Sequence, residues 1–286
     1  LTPINYISSI KTNLNNIHIK DIKVVNSHEV WYSTFGEGII LHDPTTFFNI
    51  GEELNFNVGG MVYDAESFNN KTYIATNNGL YILESDLSFN HYDKSNGLSS
   101  NTVFDIDIDK NGLVYMATPS GLSIYNGIVF NNYTKNEGLP SNLVLSLSVD
   151  KNINETIWLG TKNAGLIKFD GKIFTTYSKK DGLATNWIQD IEQFDNGTLV
   201  LACYGSGITT FDGKVFKNHN KGLTDQRVVD VAIDDKNQIW IGTESSGVGF
   251  FKDNAISMIT SLDGLGHNEI FSLYEDSGKI WVGTFG

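Results

Sequence analysis

A unit of about 42 residues recurs along this chain, and no other feature restricts its fold so tightly. A Gly-Leu pair followed three residues later by Asn or Gln occurs at Gly97-Leu98, Gly138-Leu139, Gly182-Leu183, Gly222-Leu223 and Gly264-Leu265, at intervals of 41, 44, 40 and 42 residues. A second landmark is a short apolar strand of the form IWIGT. Its aromatic position falls at Trp31, Tyr73, Tyr115, Trp158, Trp240 and Trp281, with Val200 as the aliphatic occupant. A period of this length that holds several short strands predicts propeller blades, not a helical solenoid.

Within one unit, Val228 to Ile233 and Ile239 to Thr243 are β-branched runs split by the turn sequence Asp234-Asp235-Lys236-Asn237. Gly247 to Phe251 supplies a third strand. A fourth recurs as F-x-x-Y at Phe89/Tyr92, Phe130/Tyr133 and Phe174/Tyr177, the last two after the turns Asn126-Gly127 and Asp170-Gly171. Four strands and a glycine-containing link, repeated, predict an all-β chain: a β-propeller of four-stranded antiparallel blades forming a single domain over residues 1–286. The expected blades cover approximately 15–54, 55–96, 97–137, 138–181, 182–221 and 222–263. Residues 267–286 supply only two strands of a further unit, and residues 1–14 read as its third and fourth. Seven blades are therefore expected, the last built from both termini, because closing the ring removes two exposed sheet edges.

The stretch GLPSN…VDKN…IWLGTKNAGLIKFDGKIFTTYSKKDGL resembles the two-component regulator propeller repeat. The resemblance is clear from Asn57 to Gly286 and looser from Leu1 to Glu53. It implies the periplasmic sensor half of a hybrid histidine kinase from a Gram-negative bacterium. It further implies response to a carbohydrate and a membrane-linked signalling output domain elsewhere in the full-length protein.

A net charge of −13 argues against nucleic acid and against an anionic membrane surface, since both need a basic face. Neutral or cationic ligands are easier to accommodate. No apolar run reaches the roughly 20 residues needed to span a bilayer. The one cysteine, Cys203, occupies the Thr position of an IWIGT strand and reads as a small buried side chain.

Chemical motifs are few. Asp105-Ile106-Asp107-Ile108-Asp109-Lys110-Asn111-Gly112 has the look of a calcium loop, but Thr118 stands where a bidentate Glu is required, and other units put ordinary turns there. The six histidines are scattered without metal-ligand spacing, so neither a metal nor a cofactor is expected. His267 and Glu269 share one link and are the starting candidates for an enzymatic reading, a lyase or hydrolase on the propeller face. No nucleophile or oxyanion element accompanies them, and no catalytic residue is assigned.

Positions that vary where the repeat is otherwise regular point to binding. In a propeller, the link between blades and the loop between a blade's second and third strands lie on one face beside the central channel. The residues there include Phe35, Lys162, Trp187, Tyr204, Arg227, Glu244, Glu269 and Phe285. Aromatic faces beside charges of both signs suit a neutral, hydroxyl-rich small molecule such as an oligosaccharide. The expected function is a non-enzymatic periplasmic or extracellular sensor. The alternative is a protein-interaction propeller in an exported or cell-surface assembly.

Overall fold

The computed structural model describes residues 19–26, 29–34, 39–42, 47–49, 61–86, 88–153, 156–252 and 255–285. They form six four-stranded antiparallel sheets and one sheet of two strands, each built from consecutive segments. Blade three illustrates the pattern: Asp105–Ile108, Val114–Thr118, Gly121–Tyr125 and Phe130–Tyr133 follow one another outward from the channel. The IWIGT strand of blade six is Ile239–Thr243, and the F-x-x-Y strand of blade four is Phe174–Tyr177, both as the sequence pattern places them.

The expectation of seven four-stranded blades is corrected: six are present among the described residues. The last sheet holds only Ile270–Asp276 and Lys279–Thr284. A full blade takes about 40 residues, and the stretch after Ile259 is long enough for two strands and their links. Residues 1–14, expected to add the outer two, lie outside the described residues. The two-stranded sheet is nonetheless seated against blade one, where Tyr274 and Trp281 pack on Ile22, Val30, Tyr32 and Ile40.

Apolar side chains from adjoining blades make each interior. Trp158 of blade four sits among Ile188, Ile191, Leu199, Leu201 and Phe211 of blade five. Val200 and Ala202 of blade five meet Val228, Val231 and Ile241 of blade six. The second strand therefore carries an aromatic or aliphatic group that must fit the next blade, which is why this position stays apolar in every unit. Cys203 is buried with Trp158 in the seam between blades four and five and donates to Thr209 Oγ1 at 3.2 Å, and burial pushes its thiol pKa up to about 12.

The Gly-Leu-x-x-Asn landmark has a local cause. A single 3₁₀ turn precedes it in four units, as at Lys135–Glu137, where Thr134 and Glu137 form a reciprocal cap. The landmark Asn closes the turn from below: Asn101, Asn142, Asn186 and Asn268 accept the N–H of Lys94, Lys135, Lys179 and Ser261. The Leu that follows the Gly is buried at Leu98, Leu139 and Leu183. The calcium-like loop is a hairpin turn, in which Asp109 accepts the N–H groups of Asn111 and Leu113, both at 2.9 Å.

Candidate functional site

In blades four, five and six and in the two-stranded sheet, the loop after the second strand is tied to the link entering the same blade by a backbone hydrogen bond. Lys162 donates to Leu143, Tyr204 to Trp187, Glu244 to Arg227 and Phe285 to Glu269, at 3.3, 3.1, 3.0 and 3.1 Å. The variable residues singled out in the sequence are thus neighbours in pairs, blade by blade.

Five of them form one row across three blades. The Trp187 and Tyr204 rings stack with centroids 4.2 Å apart and planes at 27°. Lys162 Nζ from blade four lies 4.7 Å from the centre of the Trp187 ring. Tyr204 donates its hydroxyl to Glu244 Oε2 at 2.7 Å, and that oxygen lies 2.9 Å from an Arg227 nitrogen. The guanidinium turns its other edge to Asp225, with Nε and one terminal nitrogen each 2.9 Å from a carboxylate oxygen. Ser245 donates to the same carboxylate at 2.8 Å.

The electrostatics follow the contacts. Burial opposes ionisation of Asp225, yet Arg227, its backbone N–H and Ser245 together hold the carboxyl below its ordinary range. The hydrogen bond to Glu244, then burial, raises the Tyr204 phenol above its usual value. Arg227 remains about half exposed while Asp225 beneath it is buried, so a guanidinium on a fixed carboxylate faces outward.

Glu269 and Phe285 occupy the equivalent pair in the two-stranded sheet, where Phe285 packs against His267 at 5.5 Å and Phe271 at 6.5 Å. Phe35 lies outside the described residues. The His267–Glu269 pair envisaged for catalysis is arranged differently: His267 Nδ1 accepts the backbone N–H of Glu269 at 3.0 Å. Ser100, Ser141, Thr185 and Asp225 perform the same turn function toward Thr102, Leu143, Trp187 and Arg227. This imidazole is a turn residue.

Inside the ring, the first strands enclose a cavity of about 540 Å³. Its wall carries Asp64, Asp105, Asp107, Asp190, Glu192 and Asp230; the sequence reading weighed Asp105 and Asp107 only as part of a calcium-like loop and passed over the other four. Gln189, also on that wall, accepts the Trp187 indole N–H at 2.7 Å and links the cavity to the aromatic row. The missed signal was in plain view, because Asp21, Asp64, Asp105, Asp190 and Asp230 hold one position of the innermost strand in five units.

Residues 222–245 and 264–286 match the family described as Two component regulator propeller. These two segments carry the repeat. No curated protein matches the chain. Among solved structures, the propeller fold is shared with the extracellular domain of the putative hybrid two component system BT3049 from B. thetaiotaomicron. That likeness has 19% identity and a TM-score of 0.62 and covers 97% of this chain but 45% of that one, so the chain spans under half of the extracellular domain it matches. A catalytically inactive virginiamycin B lyase from Staphylococcus aureus, solved with quinupristin, has 14% identity and a TM-score of 0.77, covering 96% of this chain and 94% of the other. PorZ, a bacterial surface component of the type-IX secretion system of Porphyromonas gingivalis, has 14% identity and a TM-score of 0.69, covering 93% of this chain and 45% of the other. At these identities the likeness is one of fold. Among the described residues no helix is long and apolar enough to cross a membrane.

Proposed function

We propose that this propeller is the ligand-binding part of a periplasmic or extracellular two-component sensor, and that its ligand is an oligosaccharide held on the Trp187–Tyr204 row. The observation that carries this reading is the stacked aromatic pair set between Lys162 and the Glu244–Arg227–Asp225 chain. A sugar ring offers apolar C–H faces to aromatic planes and hydroxyls to fixed charges, and the row supplies both within three adjacent blades. Lys162 covers one face of Trp187, so a ligand that stacks there displaces an exposed lysine, which costs little. Non-enzymatic sensing accords with the turn role of His267 and with the kinship to sensor domains; the lyase reading rests on the shared fold.

Thermal unfolding against a panel of plant, host and microbial oligosaccharides is the test, since ligand binding to the folded state raises Tm by mass action. One glycan class is expected to shift the wild type. Trp187→Ala is expected to weaken that ligand by about tenfold or more, equivalent to ~1.4 kcal/mol. Arg227→Ala should weaken it too, and also lower the melting temperature slightly by leaving Asp225 buried without its cation. A panel without any shift would remove the sugar reading.

A second reading, a protein-interaction platform, draws on a different surface. Val129, Ile173 and Val215 occupy the same hairpin position of blades three, four and five and are all half-exposed or more. Loss of partner capture on Ile173→Asp with the glycan response intact would favour it.

A further inference from the structure

Neighbouring blades are joined around the channel by carboxyl groups. Asp64 Oδ2 accepts the N–H of Ile106 in the next blade at 2.8 Å, and Asp105 Oδ2 accepts that of Leu147 at 2.6 Å. Asp190 does the same for Val231 at 3.0 Å, and Asp230 for Leu273 at 2.5 Å. Ser146 and Ser272 hold the position in the following sheets, buried and too short to reach across, and their hydroxyls have no hydrogen-bond partner. Asp21 holds the same position in blade one, so acids run through blades one to three and five to six, each run ended by a serine, and the four acids named above form two adjacent pairs, Asp64 with Asp105 and Asp190 with Asp230.

Within each pair the two carboxyl groups stand at equivalent points of neighbouring innermost strands, on one wall of the cavity. Two carboxyl groups can share a hydrogen bond only when one keeps its proton, because a carboxylate has nothing to donate. We infer that the two pairs are proton-held clasps, one between blades two and three and one between blades five and six, and that the ring is tightest in mild acid and loosens at its seams as pH rises. The second clasp lies in the seam spanned by the Tyr204–Glu244 hydrogen bond, so its loosening reaches the aromatic row.

The surroundings favour retention of the protons. Asp105 faces Asp64 and Glu66 from blade two, Asp107 on its own strand, and Asp190 and Glu192 from blade five, and the same wall carries the cations Lys20 and Lys151. Asp230 faces Asp190 from blade five, Asp21 and Lys20 from blade one, and Tyr274 from the two-stranded sheet. Burial first, then the neighbouring carboxylate, pushes Asp105 and Asp230 far above the usual carboxyl range. In the unfolded chain these groups ionise near pH ~3.9. Their contribution is thus complete below that pH and is lost progressively as pH rises toward their folded-state values. Glu192, pushed to about 7 by burial and by Asp190, acts in the same direction, and His219, lowered by burial, acts in the opposite one.

The experiment is thermal unfolding of the ligand-free chain from pH 5.5 to 8.5, beside the double variant Asp105→Asn/Asp230→Asn. Asparagine donates to the partner carboxylate and accepts the next blade's N–H without a titrating proton. Wild-type Tm should fall by several degrees over this range, while the variant should lose most of that fall and melt above wild type at pH 8.5. A flat wild-type profile, or an unchanged slope in the variant, would overturn the inference. If the variant does not fold, carbon-13 titration of aspartate-labelled wild type decides: two carboxyls still protonated at pH 6 support the clasps, and complete ionisation there refutes them.

Discussion

Trp158→Ala is expected to cost about 3–5 kcal/mol in equilibrium unfolding, close to the whole stability of many domains. The indole is 5% exposed and crosses from blade four into the interior of blade five, where Phe211 meets it edge-on at 6.0 Å and 84°. Its truncation would open a cavity in a seam whose walls are two hydrogen-bonded sheets and so cannot collapse to fill it. A second loss adds to the first. Trp158 Nε1 donates to Asp150 Oδ2 at 3.0 Å, and Asp150 is buried in the turn joining the first two strands. Trp158→Phe separates the two contributions, since it keeps most of the volume and drops the hydrogen bond, with an expected cost of about 1–2 kcal/mol. Urea denaturation with an unchanged m-value would confirm that both variants act on the native seam. Equal costs for the two would show that the hydrogen bond, not the packing, dominates.

The same residue marks how far a one-dimensional reading reaches. The IWIGT and F-x-x-Y strands were legible because each side chain's burial is set inside a repeating unit, and the strand ends agree residue for residue at Ile239–Thr243 and Phe130–Tyr133. The pairing of Trp187 with Tyr204 and of Arg227 with Glu244 was also legible, because both members sit on the same blade at fixed offsets. What passes between blades was not. That Lys162 reaches the Trp187 ring depends on how far adjoining sheets are rotated about the channel, which spacing does not encode. Asp225 was missed because it looks like a turn residue and is one; only the fold shows that its carboxylate also fixes Arg227. The number of complete blades was misjudged because residues 1–14 were read as the outer strands of the last sheet, in which the described residues form two strands.

Gly121→Ala is expected to destabilise the chain by about 3 kcal/mol or more, against about 1–2 kcal/mol for Gly127→Ala in the same blade. Both glycines have positive φ, +133° and +89°, so each substitution carries backbone strain that an L side chain would impose. They differ in what surrounds them. A Cβ on Gly127 would meet nothing within 4 Å, whereas one on Gly121 would lie 2.2 Å from the carbonyl oxygen of Tyr133. That oxygen belongs to the end of the fourth strand, which is hydrogen-bonded alongside the third and cannot retreat without breaking the Leu122–Tyr133 pairing. Gly79, Gly165 and Gly247 stand in the same relation to Tyr92, Tyr177 and Ile259 in their own blades, so this contact is part of the repeat. The site also holds the loop that presents the variable face, because Thr118 Oγ1 donates to the Gly121 carbonyl across it at 2.8 Å. Urea unfolding of the two variants side by side reads the difference directly. Costs that match within error would mean that the outer strand is free to shift, and that the loops beside the channel are held less firmly than the close approach of these two backbones implies.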